Sequence, residues 1–197
     1  MRIEICFLFF VIAAASVFGQ ESAANGEQTI VSDERYVITY KVKPKEIIFT
    51  MDDLRASESS KTSEKMPGSY FYILVDVNRN GRVDENKDVV YNLMKNSISL
   101  CSQYLIDERA STQCGGLVSN AIYEVSSRRT EHASYAHIVH RYTIPLSEIR
   151  TPGQKALNVV FHCSSEGDVY FAPKAFYPAL ESPNAINSFT QTITIKL

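Results

Sequence analysis

Short runs of β-branched and aromatic residues, divided by turn formers, dominate this sequence, and windows with helical period are few. Tyr36, Ile38, Tyr40 and Val42 alternate with Val37, Thr39 and Lys41, a period of two that sets one side of a strand toward a core. The run SYFYILVDV at 69–77 is apolar on both sides and reads as a central strand. Similar runs lie at 46–51, 88–93, 98–105, 118–125, 134–144, 157–163, 169–172 and 189–195. Leu146 to Arg150 has room for one helical turn, and Thr151-Pro152-Gly153 makes the bend after it. The pattern predicts an all-β fold, a single antiparallel β-sandwich of jelly-roll or immunoglobulin-like kind with roughly ten strands.

At 197 residues and 22.1 kDa the chain suffices for one domain. Residues 1–20, MRIEICFLFFVIAAASVFGQ, join a basic start to an apolar run and small residues at Val17 and Gly19. This predicts a secretory signal peptide over 1–19 and a secreted, extracellular (in a bacterium, periplasmic) product. Residues 20–34 are small and polar and are expected to form a flexible arm, with the sandwich domain over 35–197. No later run is long enough for a transmembrane segment. The net charge of −2 lacks the basic excess of a nucleic-acid-binding protein. Beyond the signal stand Cys101, Cys114 and Cys163. Cys101 and Cys114 close the shortest loop and form the candidate disulfide, with three reduced thiols as the alternative.

The segment DVNRNGRVDENKD at 76–88 matches the opening of a calcium loop. Oxygen-bearing side chains alternate at Asp76, Asn78 and Asn80, and Gly81 permits a sharp bend. The Arg82 carbonyl, Asp84 and Asp88 complete the candidate metal ligands. Lys87 stands where an EF-hand places its bidentate Glu, and a strand precedes the loop where an EF-hand has a helix. Such a site would hold calcium weakly, at about 10⁻⁴–10⁻³ M. The alternative is a plain polar turn, since Asn80-Gly81 is a strong hairpin signal.

Two segments, YFYILVDVNRNGRVDENKDVVYN and HIVHRYTIPLSEIRTPGQKALNVVFHC, carry a family likeness. A strand ending in Ile-Pro-Leu-Ser-Glu-Ile, a Pro-Gly turn and a second strand resemble a unit of the DOMON-like sandwiches, which include family 9 carbohydrate-binding modules. The resemblance spans about residues 36–197 and implies an extracellular sandwich that binds sugar or haem. The sugar-binding members use Trp platforms, and this chain has no Trp among its 21 Tyr and Phe. Tyr123, Tyr135, Tyr170 and Tyr177 are therefore the candidate ligand-binding faces. No His–Met spacing selects a haem-ligand pair.

The chain has no H-E-x-x-H, G-x-S-x-G or P-loop motif. His137 and His140, three apart on one strand, are expected on opposite faces, which separates them as metal ligands. Ser126-Ser127-Arg128-Arg129 reads as a solvated turn. The expectation is a non-catalytic binding module for a glycan or an extracellular protein, with calcium bracing the 76–88 loop. A structural or adhesive protein without a small-molecule ligand is the alternative.

Overall fold

A computed structural model describes residues 26–55, 69–81, 88–94, 97–100, 119–165, 168–173 and 192–197. They form two antiparallel sheets. In chain order the strands are β1 (Gln28–Ser32), β2 (Tyr36–Val42), β3 (Glu46–Asp53), β4 (Ser69–Asp76), β5 (Val89–Met94), β6 (Ser97–Leu100), β7 (Ile122–Thr130) and β8 (Ala133–Pro145). The helical turn α1 (Leu146–Ile149) follows, then β9 (Ala156–Ser165), β10 (Asp168–Ala172) and β11 (Ile193–Lys196). One sheet has the order β1-β2-β3-β8-β7. The other runs β10-β9-β4-β5-β6, with β11 also paired to β9.

Alternation decides which side chains meet between the sheets. From the five-stranded sheet, Tyr36, Ile38, Tyr40, Ile47, Phe49, Met51, Tyr142 and Ile144 point inward. From the other come Phe71, Ile73, Val75, Leu157, Val159, Phe161 and Cys163. Phe49 meets Phe161 edge-on across the interface at 5.5 Å, and Phe161 stacks on Phe71 at 5.6 Å. Fully burying a side chain of this size contributes roughly 1.5–3 kcal/mol, so the aromatic centre accounts for much of the sheet-on-sheet adhesion. Leu74, Val90 and Val160, on the other side of the second sheet, are buried as well. That explains why β4 reads as apolar on both sides.

Two expectations are corrected. The arm expected over 20–34 contains β1, which pairs with β2 and ends where Asp33 Oδ1 accepts the Arg35 and Tyr36 amides at 2.8 and 2.9 Å. Its short apolar content, Ile30 and Val31, packs on the core, and Tyr40 on β2 donates to Gln28. Ser126–Arg129 is part of β7 and not a turn; the chain reverses only after Thr130.

α1 acts as a latch. Glu148 accepts bonds from the Tyr91 hydroxyl (2.9 Å), the Ser119 hydroxyl (2.7 Å) and the Asn120 amide (2.7 Å), joining β5 to the chain entering β7. Burial, then the facing Glu148 carboxylate, drives the Tyr91 hydroxyl to a very high pKa, so it stays a donor. Glu148→Ala should cost about 2 kcal/mol by leaving a buried phenol without its acceptor. Urea unfolding of the two proteins reads the difference; an unchanged midpoint would refute the latch.

Candidate functional site

A polar groove lies on the outer side of the five-stranded sheet. Cross-strand register builds it in rows: Thr39, Thr50, Arg141 and Glu124 are successive neighbours, as are Val37, Asp52, Val139 and Ser126. The β7–β8 hairpin bounds a groove of about 620 Å³ over this floor. Its basic residues are Lys41, Lys43, Arg128, Arg129 and Arg141, against the carboxylates of Glu27, Asp52 and Glu131. Lys41 on the floor and Arg128 and Arg129 on the wall form no ion pair among the described residues.

The wall is held from beneath. Thr130 Oγ1 donates to Asp52 Oδ2 at 2.6 Å, and His137 Nε2 lies 3.5 Å from the same oxygen. His137 Nδ1–H donates to the Tyr135 carbonyl at 3.1 Å. His137 and Asp52 are buried although they lie on the outer side, because the hairpin end covers them. A register shift between Arg128 and Thr130 opens this hairpin. Between the Arg128↔His137 and Thr130↔Ala133 pairs β8 advances four residues against two in β7, so the irregularity lies in β8, and both Arg128 and Arg129 line the groove.

His140 faces the other way, into the core. Its Nε2 lies 2.7 Å from Ser69 Oγ of β4, and its Nδ1 lies 2.5 Å from the Tyr123 hydroxyl of β7. Burial lowers its pKa to about 3, so the ring is neutral at physiological pH, one nitrogen donating and the other accepting. The serine–histidine contact has the connectivity of a nucleophile and its base. Both residues, however, are sealed between the sheets, where the array ties one sheet to the other. The opposite-face expectation for His137 and His140 holds.

The candidate tyrosines do not converge. Tyr123 is tied to His140 and packs on Tyr142 at 4.7 Å. Tyr170 is buried against Tyr36 at 5.2 Å with the Arg35 guanidinium over its face. Tyr135 is exposed, and its hydroxyl donates to the Leu54 carbonyl at 2.8 Å. Tyr177 lies outside the described residues, as do Cys101 and Cys114; Cys163 is a buried free thiol.

In the 76–88 segment, Asp76 is fully buried at the end of β4. Its Oδ1 accepts the Asn80 amide at 3.2 Å and its Oδ2 the Gly81 amide at 3.0 Å. Asn78 Oδ1 also accepts the Asn80 amide, at 3.1 Å, and Asp88 Oδ1 accepts the Val77 amide at 2.9 Å. Positive φ falls on Arg79 (58°) and Gly81 (73°), so the bend is placed one residue earlier than an Asn-Gly hairpin would put it. Arg82 and Asp84 lie outside the described residues. Among those described, no three His, Cys, Asp or Glu residues are grouped to hold a metal. Asp76→Ala should cost about 2 kcal/mol through two lost charge-assisted amide bonds, measurable in a chelator-containing urea melt.

No sequence motif singles out the groove residues Thr39, Lys41, Thr50 and Arg141. Their signal was present in the polar positions of β2, β3 and β8, which alternate with the core set. What the sequence could not supply is that these rows align across strands. Among the described residues no helix is long and apolar enough to cross a membrane. The chain matches no model of a known protein family and no curated protein sequence.

Proposed function

We propose that this protein is a secreted, non-catalytic β-sandwich module that binds a glycan or an extracellular protein in the groove over β2, β3, β8 and β7. The observation that carries this reading is the groove itself: a sheet floor, a hairpin wall and a polar lining in which Lys41, Arg128 and Arg129 have no ion-pair partner among the described residues. The two-sheet architecture supports the DOMON-like resemblance, and with it a jelly-roll or immunoglobulin-like extracellular sandwich. Filling the groove with Thr50→Trp should abolish retention on the cognate ligand in a panel of immobilised glycans and extracellular-matrix proteins. Binding that survives this substitution would remove the groove from the function.

Calcium serves in this reading as a brace on the turn after β4. The Asn80 and Gly81 amides fix the Asp76 carboxylate, and each of its oxygens keeps a second lone pair for an ion. Calcium at about 10 mM, above the millimolar affinity such loops have, should raise the melting temperature, and Asp76→Ala should erase the rise. No shift would leave the segment as an amide-capped turn.

A structural or adhesive role is the competing reading. It is favoured by Ile122 and Val125 on β7, which are 59% and 40% exposed. Loss of surface adhesion in Ile122→Lys/Val125→Lys, with Thr50→Trp silent, would select it.

A further inference from the structure

We infer that the groove takes a polyanionic glycan, a chain bearing carboxylate or sulfate groups, and not a neutral sugar. This inference rests on the groove being the ligand face and adds the ligand's chemistry.

Three observations converge on it. The first is charge. Five basic residues meet three carboxylates among the described lining residues; Lys43 is paired with Glu46 at 2.6 Å, so the cationic character of the face rests on Lys41, Arg128, Arg129 and Arg141. One of the three carboxylates, Asp52, is buried beneath Thr130 and His137. The second is unused donor capacity. Lys41, Arg128 and Arg129 have no ion-pair partner among the described residues. Arg141 reaches Glu124 only at 3.9 Å, and its buried Nε has no hydrogen-bond partner among them. Guanidinium groups match carboxylate and sulfate oxygens with paired N–H donors. The third is what the lining lacks. Apart from His132 the described lining residues include no aromatic ring, and the one aliphatic residue among them, Ile48, is 6% exposed. A neutral sugar that stacks on a ring finds no platform, and a peptide finds no apolar pocket for an anchoring side chain.

The shape selects a polymer over a small anion. Four adjacent strands spaced about 4.8 Å apart give a floor some 14 Å wide. Lys41 stands on β2, Arg141 on β8 and Arg128 with Arg129 on β7, so the cations are spread across that width. Acid groups recurring along a linear glycan can meet them in turn, with the Thr50 hydroxyl between for a sugar hydroxyl. Two consecutive arginines, Arg128 and Arg129, line one wall beside the irregular β7–β8 pairing.

The test uses protein expressed from the full 197-residue sequence. Heparin is the sulfated probe, polygalacturonate the carboxylated probe and dextran the neutral control. Binding to at least one polyanion and none to dextran is expected, with the affinity falling tenfold or more between low and high salt as screening shortens the reach of the charges. Arg128→Glu/Arg129→Glu should weaken it at least tenfold at an unchanged melting temperature. If the double variant does not fold, Lys41→Glu on the groove floor replaces it. Polyanion binding that ignores these reversals would overturn the proposal. If polyanions fail and a neutral glycan binds in a manner lost in Thr50→Trp, the anionic assignment falls and the groove remains the ligand face. If no glycan or matrix protein responds to Thr50→Trp, both fall.

Discussion

Replacing His140 with leucine should destabilise the protein by about 3 kcal/mol, a large share of a domain's stability. Leucine approximates the volume of imidazole, so the loss is not a cavity effect. It comes from Ser69 Oγ and the Tyr123 hydroxyl, which would each lose a partner inside the core at about 1–3 kcal/mol apiece. The three groups come from β4, β7 and β8, so their bonds fix how one sheet sits on the other. Removing all three polar groups together, as Ser69→Ala/Tyr123→Phe/His140→Leu, should recover most of the loss, because no stranded donor remains. Urea unfolding of the single and triple variants measures both quantities. A triple variant as unstable as His140→Leu would show that ring packing, and not hydrogen bonding, sets the cost.

The second large effect is with pH. Burial lowers the pKa of His140 to about 3 and that of His162 to about 4, from an ordinary value of 6.5. In the folded protein both rings stay neutral well below neutrality, whereas the unfolded chain takes up a proton on each as the pH drops through 6.5. Protons therefore favour the unfolded state. The stability held by these two rings is complete above pH 6.5 and declines progressively as the pH falls toward 4 and then 3. Each histidine contributes up to about 1.4 kcal/mol per pH unit in that window, so the pair should remove about 4 kcal/mol between pH 7 and pH 5. His162→Gln should roughly halve the slope. A stability that is flat from pH 7 to 5 would contradict the neutral, buried state of both rings.

The alternation in 36–42, the run at 69–77 and the helical turn before Thr151-Pro152-Gly153 were legible in the sequence, because each rests on local period or turn chemistry. β1 was not, since its apolar content is only Ile30 and Val31 and a polar Gln28 opens it. Ser126–Arg129 misled for the same reason: a polar stretch in an outer strand has the composition of a turn. The groove was hidden more deeply. Thr39, Thr50 and Arg141 are neighbours only through register between β2, β3 and β8, and β3 and β8 lie far apart in the sequence, at Glu46–Asp53 and Ala133–Pro145. His140 could be assigned to a core face, but its serine and tyrosine partners depend on sheet packing that no local pattern encodes.

The outermost strand β1 of the five-stranded sheet carries one extra residue between Thr29 and Val31, which pair with the consecutive Thr39 and Ile38 of β2. A further strand adds to a sheet only where amides and carbonyls are presented at regular spacing, and a bulge breaks that spacing and twists the strand away. This end of the sheet is therefore a poor template for another copy of the chain. For a protein rich in β-forming sequence, such an irregularity limits growth into fibrils, and deleting the extra residue would remove that protection.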